Sequence, residues 1–235
     1  MAGPTEHHAV TVTAAWDETP VLRGVRLQLP PALAGAHQRP GQVVKVKVPP
    51  GEAYFALATA PSADGHAELL VKRGAPVADA VVAAARPGAT LQVTAPFGRG
   101  FPFESALGND VLLFAAGSGM APVRALIETF LAHRDQVGRV VLFYGQRRGA
   151  EFAYRAEHLG WERRGVRVVL CPSAEDDTWP GVHGRVQEAA RTLDWGGTRP
   201  AQASAFVCGM SPMVDEVRAA LAGAGAPPER IHVNF

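Results

Sequence analysis

At 235 residues the chain has room for one large domain or two modest ones, and its 47% hydrophobic and 19% charged composition excludes a disordered polymer and supplies a real core. A formal net charge of +1, with no basic run longer than Arg147-Arg148, argues against a nucleic-acid partner and against an anionic membrane surface. No basic start followed by an apolar stretch marks a signal peptide, and no run approaches the ~18 apolar residues of a spanning helix, so the expectation is a soluble, cytoplasmic protein with no membrane partner.

The first hundred residues read as β-structure. Residues 9–15 alternate Val and Thr, and residues 21–29 alternate apolar side chains with Arg and Gln. Residues 42–48 place Val44, Val46 and Val48 on one face and Lys45 and Lys47 on the other. A period of two marks strands with one wet face. Residues 54–59, 67–72 and 89–95 are further short runs. Turn signals separate them all: Pro30-Pro31, Pro40-Gly41, Pro49-Pro50-Gly51, Pro61, Gly74 and Pro87-Gly88. Short strands so spaced predict an antiparallel Greek-key β-barrel. One short helix, residues 77–85, begins after Pro76 and stops before Pro87-Gly88.

The pattern changes near residue 105. Residues 110–116 form a near-continuous apolar run, as in a parallel strand buried on both faces. Strands at 140–144, 166–171, 205–208 and 231–235 then alternate with helices at 122–133, 150–163, 185–193 and 212–222. That alternation predicts a doubly wound parallel α/β sheet. The expected domains are 1–104 and 105–235, joined through a seam rich in Gly and Phe at 97–109.

The motif with most chemical content is Gly117-Ser118-Gly119-Met120-Ala121-Pro122, set between a buried strand and a helix. Glycines permit a tight turn and close backbone approach to a pyrophosphate, and the helix N-terminus favours an anion. Pro122 fits the first helical turn, where its missing N–H costs nothing. Proline stands where the third glycine of G-x-G-x-x-G would be, so the turn alone could be an ordinary strand–helix connection. A second strand–helix junction, Val207-Cys208-Gly209-Met210-Ser211-Pro212-Met213, would end on the same sheet rim. Cys171 and Cys208 are too few for an all-cysteine iron–sulfur cluster or a Cys-rich zinc site. Each closes an apolar run and reads as a buried thiol. There is no G-x-S-x-G, H-E-x-x-H or Walker loop.

Together and in this order, the two junctions resemble the ferredoxin–NADP reductase superfamily, whose nucleotide domain carries G-T-G-x-A-P and later C-G-x-x-x-M. Further similar stretches are Pro40-Gly41-Gln42, Ala95-Pro96-Phe97-Gly98-Arg99-Gly100-Phe101, Phe143-Tyr144-Gly145-Gln146-Arg147, and Trp179-Pro180-Gly181 through Gly184-Arg185-Val186. In particular the chain looks like a branch that includes a plant fruit protein. The resemblance implies FAD on the barrel and NAD or NADP on the second domain, with electrons passed on to a redox partner protein. By position, Gly117, Ser118, Gly119, Met120 and Pro122, with Gly145, Arg147 and Ser173, would hold the nicotinamide dinucleotide. Cys208 and Phe235 would be the catalytic pair beside the reacting rings, with Gly209, Met210 and Met213 adjoining. Tyr54, Phe55, Ala56, Leu57 and Thr59, with Val71, Lys72, Gly74, Val77 and Ala78, would form the flavin site, and Gly98 and Gly100 would lie at the seam.

The chain departs from the family on the barrel. The flavin signature R-x-Y-S reads Ala53-Tyr54-Phe55-Ala56, and the hydroxyl of G-x-x-S/T is replaced in Gly74-Ala75-Pro76-Val77-Ala78. Losing two or three contacts worth ~1–2 kcal/mol each would weaken FAD binding by two to four decades. Lys72 or Arg73 could compensate. A module that kept the nucleotide site and lost flavin chemistry, a sensor or regulatory subunit, is therefore the alternative. Ser173-Ala174 is followed by Glu175-Asp176-Asp177, acidic residues that would repel a 2′-phosphate and lean the choice to NAD, whereas Arg147, Arg148 or Arg155 would reverse it.

Overall fold

A computed structural model describes residues 3–174 and 178–234. The first strands are β1 (His8–Thr19), β2 (Leu22–Gln28), β3 (Val43–Val48), β4 (Gly51–Ala56), β5 (His66–Lys72) and β6 (Thr90–Val93), with α2 (Pro76–Ala84) between the last two. They form a six-stranded antiparallel sheet in the order β4-β3-β6-β1-β2-β5. Placing β6 between β1 and β3 is the Greek-key crossover, and the bridge between Leu57 and Leu69 joins the two outer strands. Alternation explains the interior. Val10, Val12, Val25, Leu27, Val44, Val46, Leu69 and Val71 all point inward and are buried. Pro30-Pro31 does more than turn the chain, since Pro31 opens one unexpected helical turn, α1 (Pro31–Ala34).

The second half comprises β7 (Asp110–Ala116), α3 (Met120–Ala132), β8 (Val140–Gln146), α4 (Arg155–Arg163), β9 (Val166–Pro172), α5 (Val186–Thr192), β10 (Ala203–Cys208), α6 (Ser211–Gly223) and β11 (Ile231–Val233). The strands form a parallel sheet in the order β11-β10-β7-β8-β9. Both faces of β7 are covered, as its unbroken apolar run predicts. Leu112 and Phe114 pack toward α5 and α6, whereas Val111, Leu113 and Ala115 pack toward α3. The 150–163 helix starts later than expected, at Arg155. Gly149–Glu151 is a 3-10 turn, and Tyr154 has a left-handed φ of 59°, which breaks the helix there.

One core spans the junction. It contains Leu22, Ala58 and Leu70 of the barrel together with Phe101, Leu113, Phe130, Tyr144 and Phe206. Polar ties reinforce it. The Asn234 amide donates to the Gly41 carbonyl at 2.9 Å, and the Ala60 N–H donates to Glu128 at 2.8 Å. Arg124, in α3, reaches the Ala58 carbonyl at 2.8 Å while pairing with Glu128 at 2.8 Å and Glu157 at 3.0 Å.

Candidate functional site

Strand order reverses between β7 and β10. From β7 the chain runs outward to β8 and β9, then returns to the other side of β7 as β10. Such a reversal leaves a crevice beyond the carboxyl ends of the strands. Here it opens into a cavity of about 1130 Å³, closed on its far side by the barrel.

The sheet wall is built from glycine and helix ends. Cys208 lies opposite Ala115 in the β10–β7 ladder, so the two Gly-bearing junctions stand side by side. Gly119 touches the backbone of the other junction. A Cβ there would run into the Cys208 carbonyl and would stand 3.1 Å from the Gly209 nitrogen. Gly117 is different. Its φ is +59° and a Cβ would meet nothing within 4 Å, because that side faces the open cavity. A backbone that is bare, left-handed and followed by the N-terminus of α3 is suited to an anion such as a pyrophosphate. The turn is held from behind by Tyr144. Its hydroxyl donates to the Gly117 carbonyl at 3.3 Å and accepts from Gln146 at 2.8 Å and from the Ala153 N–H at 3.3 Å. Burial raises that phenol above its ordinary pKa, so it stays a donor.

Cys208 is buried, and burial pushes its thiol up to about 12. It therefore meets the cavity as a neutral, compact side chain rather than a thiolate. Cys171, at the end of β9, has the same cause and the same value of about 12.

The barrel wall presents Val21, Leu22 and Leu70, the β4 segment Tyr54-Phe55-Ala56, and the cations Lys72 and Arg73. Tyr54 is an exposed aromatic, 55% accessible, propped by Phe97 at 6.0 Å and by Lys45 over its ring at 5.4 Å. An apolar, aromatic-edged surface facing a phosphate-type turn fits a flat ring on one side and a dinucleotide on the other.

Many sequence-derived candidates meet at this cavity: Tyr54, Phe55, Ala56, Lys72, Gly117, Ser118, Gly119, Pro122, Gly145, Arg147, Ser173, Cys208, Gly209, Met210 and Met213. Others do not reach it. Leu57, Val71 and Ala78 are buried in the barrel interior, with Val77 packed beside them. Met120, though inside the turn motif, points into the core between sheet and barrel. Thr59 buries its hydroxyl without a hydrogen-bond partner, away from the cavity. Gly74 lies on the exposed β5–α2 turn outside the lining. Gly98 and Gly100 shape the seam. The Gly98 carbonyl accepts from Gln42 at 3.3 Å, and a Cβ on Gly100 would stand 2.7 Å from the Pro40 carbonyl. Phe235 and the acidic stretch Glu175, Asp176 and Asp177 lie outside the described residues.

The sequence reading missed Leu22 and Leu70, which look like ordinary strand residues, and Gln146, Arg185 and Glu216 on the sheet side. Arg185 pairs with Glu216 at 2.7 Å, closing one end of the cavity. Among the described residues no group of three His, Cys, Asp or Glu side chains is placed to hold a metal, and no helix is long and apolar enough to cross a membrane.

A barrel closed onto a parallel sheet, with one cavity shared by a glycine turn and an apolar barrel wall, defines a two-domain dinucleotide-dependent redox protein. The comparisons agree. Residues 113–219 match the family model described as the oxidoreductase NAD-binding domain. The gamma subunit of sulfhydrogenase 1 from Pyrococcus furiosus is 30% identical over 202 residues, covering 84% of this chain and 68% of that one. The fruit protein pKIWI502 of Actinidia deliciosa is 29% identical over 224 residues, covering 89% of this chain and 70% of that one. The structure of an Amycolatopsis cytochrome P450 reductase superposes with a TM-score of 0.86 at 24% identity, over 100% of this chain and 71% of that one. The chain belongs to the FAD/NAD(P)-binding oxidoreductases of the ferredoxin-reductase type. It is an oxidoreductase of that class, one that could pass electrons from NAD(P)H to a flavin and onward.

The residues present fit the two cofactors unequally. The sheet wall offers a nicotinamide dinucleotide bare glycine backbone and the start of α3. The barrel wall offers a flavin ring an apolar surface, but its helix α2 begins away from the cavity and holds no comparable anion site.

Proposed function

We propose that residues 105–235 seat the nicotinamide dinucleotide, with its diphosphate on the Gly117–Gly119 turn and its reacting ring against Cys208 and Gly209. Residues 1–104 hold a flavin ring against Leu70 and the Tyr54-Phe55-Ala56 segment. The supporting observation is that both walls line one cavity. The cofactor supplies the conversion of a two-electron hydride into single electrons. The chain's residues supply position: Gly119 sets how closely the two sheet junctions approach, Tyr144 fixes the Gly117 carbonyl, and the neutral Cys208 fills the floor without adding charge.

The preferred nucleotide is NAD. Ser173 and Ala174 are in the lining, and three acidic residues follow them in sequence, a poor surrounding for a 2′-phosphate. The acceptor is a protein redox partner. The sulfhydrogenase relative is named as one subunit of an assembly, which supports that reading. The chain is assigned to a branch that includes the fruit protein, a reading supported by the match of that protein to 89% of the chain.

The test is anaerobic. Protein supplied with FAD and then NADH should lose the flavin band near ~450 nm. Retention of that band with both NADH and NADPH would overturn the reading. A kcat/KM favouring NADPH would overturn the nucleotide preference alone.

A further inference from the structure

The cavity is electrostatically lopsided. On the sheet side, α3 and α6 both point their N-termini at it, through the Gly117–Gly119 turn and through Met210, Pro212 and Met213. On the barrel side the corresponding helix is α2, which follows β5 directly. Its first residue, Pro76, has no N–H to offer. Its first turn carries Asp79, whose carboxylate accepts from the Gly74 N–H at 2.9 Å and so takes up that donor. Neither Gly74, Val77 nor Ala78 lines the cavity. The barrel cation Arg73 is engaged by Asp17, which Arg23 also holds at 2.9 Å. The other barrel cation in the lining, Lys72, is exposed at the end of β5, and the rest of what the barrel presents is uncharged: Val21, Leu22, Leu70, Phe55 and Ala56, with Tyr54 at the edge.

We infer that the barrel wall grips a flavin by its ring system alone and has no hold on the diphosphate of FAD, so that riboflavin, FMN and FAD bind with similar strength and exchange with solution. The inference rests on the flavin reading above and narrows it: the flavin is a passing ligand of the cavity, whereas the nicotinamide dinucleotide is held at its diphosphate. A charge-assisted contact to a phosphate is worth ~1.5–3 kcal/mol, more than tenfold in affinity, so a diphosphate that is gripped has to show as a large preference for FAD.

The experiment is an equilibrium titration of the full chain with riboflavin, FMN and FAD, followed by quenching of flavin fluorescence, in low and in high salt. The expected result is three dissociation constants within about tenfold of one another, with that of FAD hardly moved by salt. An FAD constant more than about tenfold below that of riboflavin overturns the inference and leaves the flavin reading standing. Binding of none of the three overturns both. Two variants sharpen the outcome. Asp79→Ser frees the Gly74 N–H outside the cavity and should leave the three constants within about tenfold of one another, whereas a large gain for FAD alone would place the diphosphate on α2, against the inference. Lys72→Gln should weaken FAD by less than about tenfold, and a larger loss for FAD alone would show that Lys72 holds the diphosphate, against the inference.

Discussion

The Arg124 guanidinium donates to the Ala58 carbonyl at 2.8 Å, joining the helix that begins at the glycine turn to the segment that follows barrel strand β4, whose end faces the same cavity. This bond fixes the distance between the two walls. Arg124 is buried, stacked over the Tyr154 ring at 4.8 Å, and neutralised by Glu128 and Glu157. Removing one member of such a set leaves the others desolvated and unpaired. Arg124→Met should lower unfolding free energy by about 3 kcal/mol, the low end for a broken buried pair, because the two glutamates are partly exposed. Arg124→Lys should not restore it, since an ammonium cannot contact two carboxylates and a carbonyl in the same plane. Urea unfolding measures both, and adding Glu157→Gln to Arg124→Met should recover part of the loss.

Gly119 and Gly117 should respond differently to alanine. At Gly119 the new methyl collides with backbone, 2.8 Å from the Cys208 carbonyl carbon, and neither junction can move cheaply. Overpacking of this kind costs about 1–3 kcal/mol and would push α3 away from β10. At Gly117 the methyl meets nothing, and the cost is the left-handed φ, about 1–2 kcal/mol, with the methyl protruding where the dinucleotide is proposed to lie. Both variants should weaken NADH binding by at least about tenfold in a fluorescence titration. Unchanged NADH affinity in Gly117→Ala would remove the dinucleotide from this turn.

Much of this was legible in the residues. Buried parallel strands announced themselves as unbroken apolar runs, and the barrel by its period of two. The same period separates candidates that line the cavity from those that do not. Leu70 and Lys72 share a face and reach the cavity, whereas Val71 between them must enter the barrel interior. Similarity of position grouped Val71 with Lys72 and passed over Leu70 because it does not ask which way a side chain points. Met120 was grouped with the turn for the same reason, although its side chain enters the core. The Arg124–Ala58 bond was not legible, because it joins residues 66 apart in sequence and depends on how two domains dock. Nor was the late start of α4, which turns on a single left-handed residue, Tyr154.

Acidification should weaken the fold through His37. The ring is buried, with Nε2 lacking a hydrogen-bond partner, and burial depresses its pKa from 6.5 to about 4. A depressed folded value means stability is complete above 6.5 and is lost as pH falls toward 4, when the unfolded chain takes up the proton more readily. That difference corresponds to about 3 kcal/mol at most. Unfolding free energies at neutral pH and near pH ~4.5 should therefore converge in His37→Leu and diverge in the natural protein.

Glu68 should act in the opposite sense. It is 2% exposed, and burial raises its carboxyl above 4.5 despite the opposing pull of Arg124 and of Arg26, 3.4 Å away. A raised folded value means its contribution is fully present below 4.5 and is lost as pH rises through that folded value. Glu68→Gln should gain on the natural protein as pH climbs from 4.5 toward neutral, and the same unfolding series would show it.

The buried thiols give a prediction that bears on mechanism. With Cys171 and Cys208 both pushed up to about 12 by desolvation, almost no thiolate exists near pH ~8, and alkylation requires the thiolate. Iodoacetamide should leave the native protein unmodified over an hour and label both residues once urea is added, as read by mass. Rapid native labelling at Cys208 would mean that its sulfur is ionised and reachable from the cavity, and the neutral, space-filling role proposed for it beside the nicotinamide would fall.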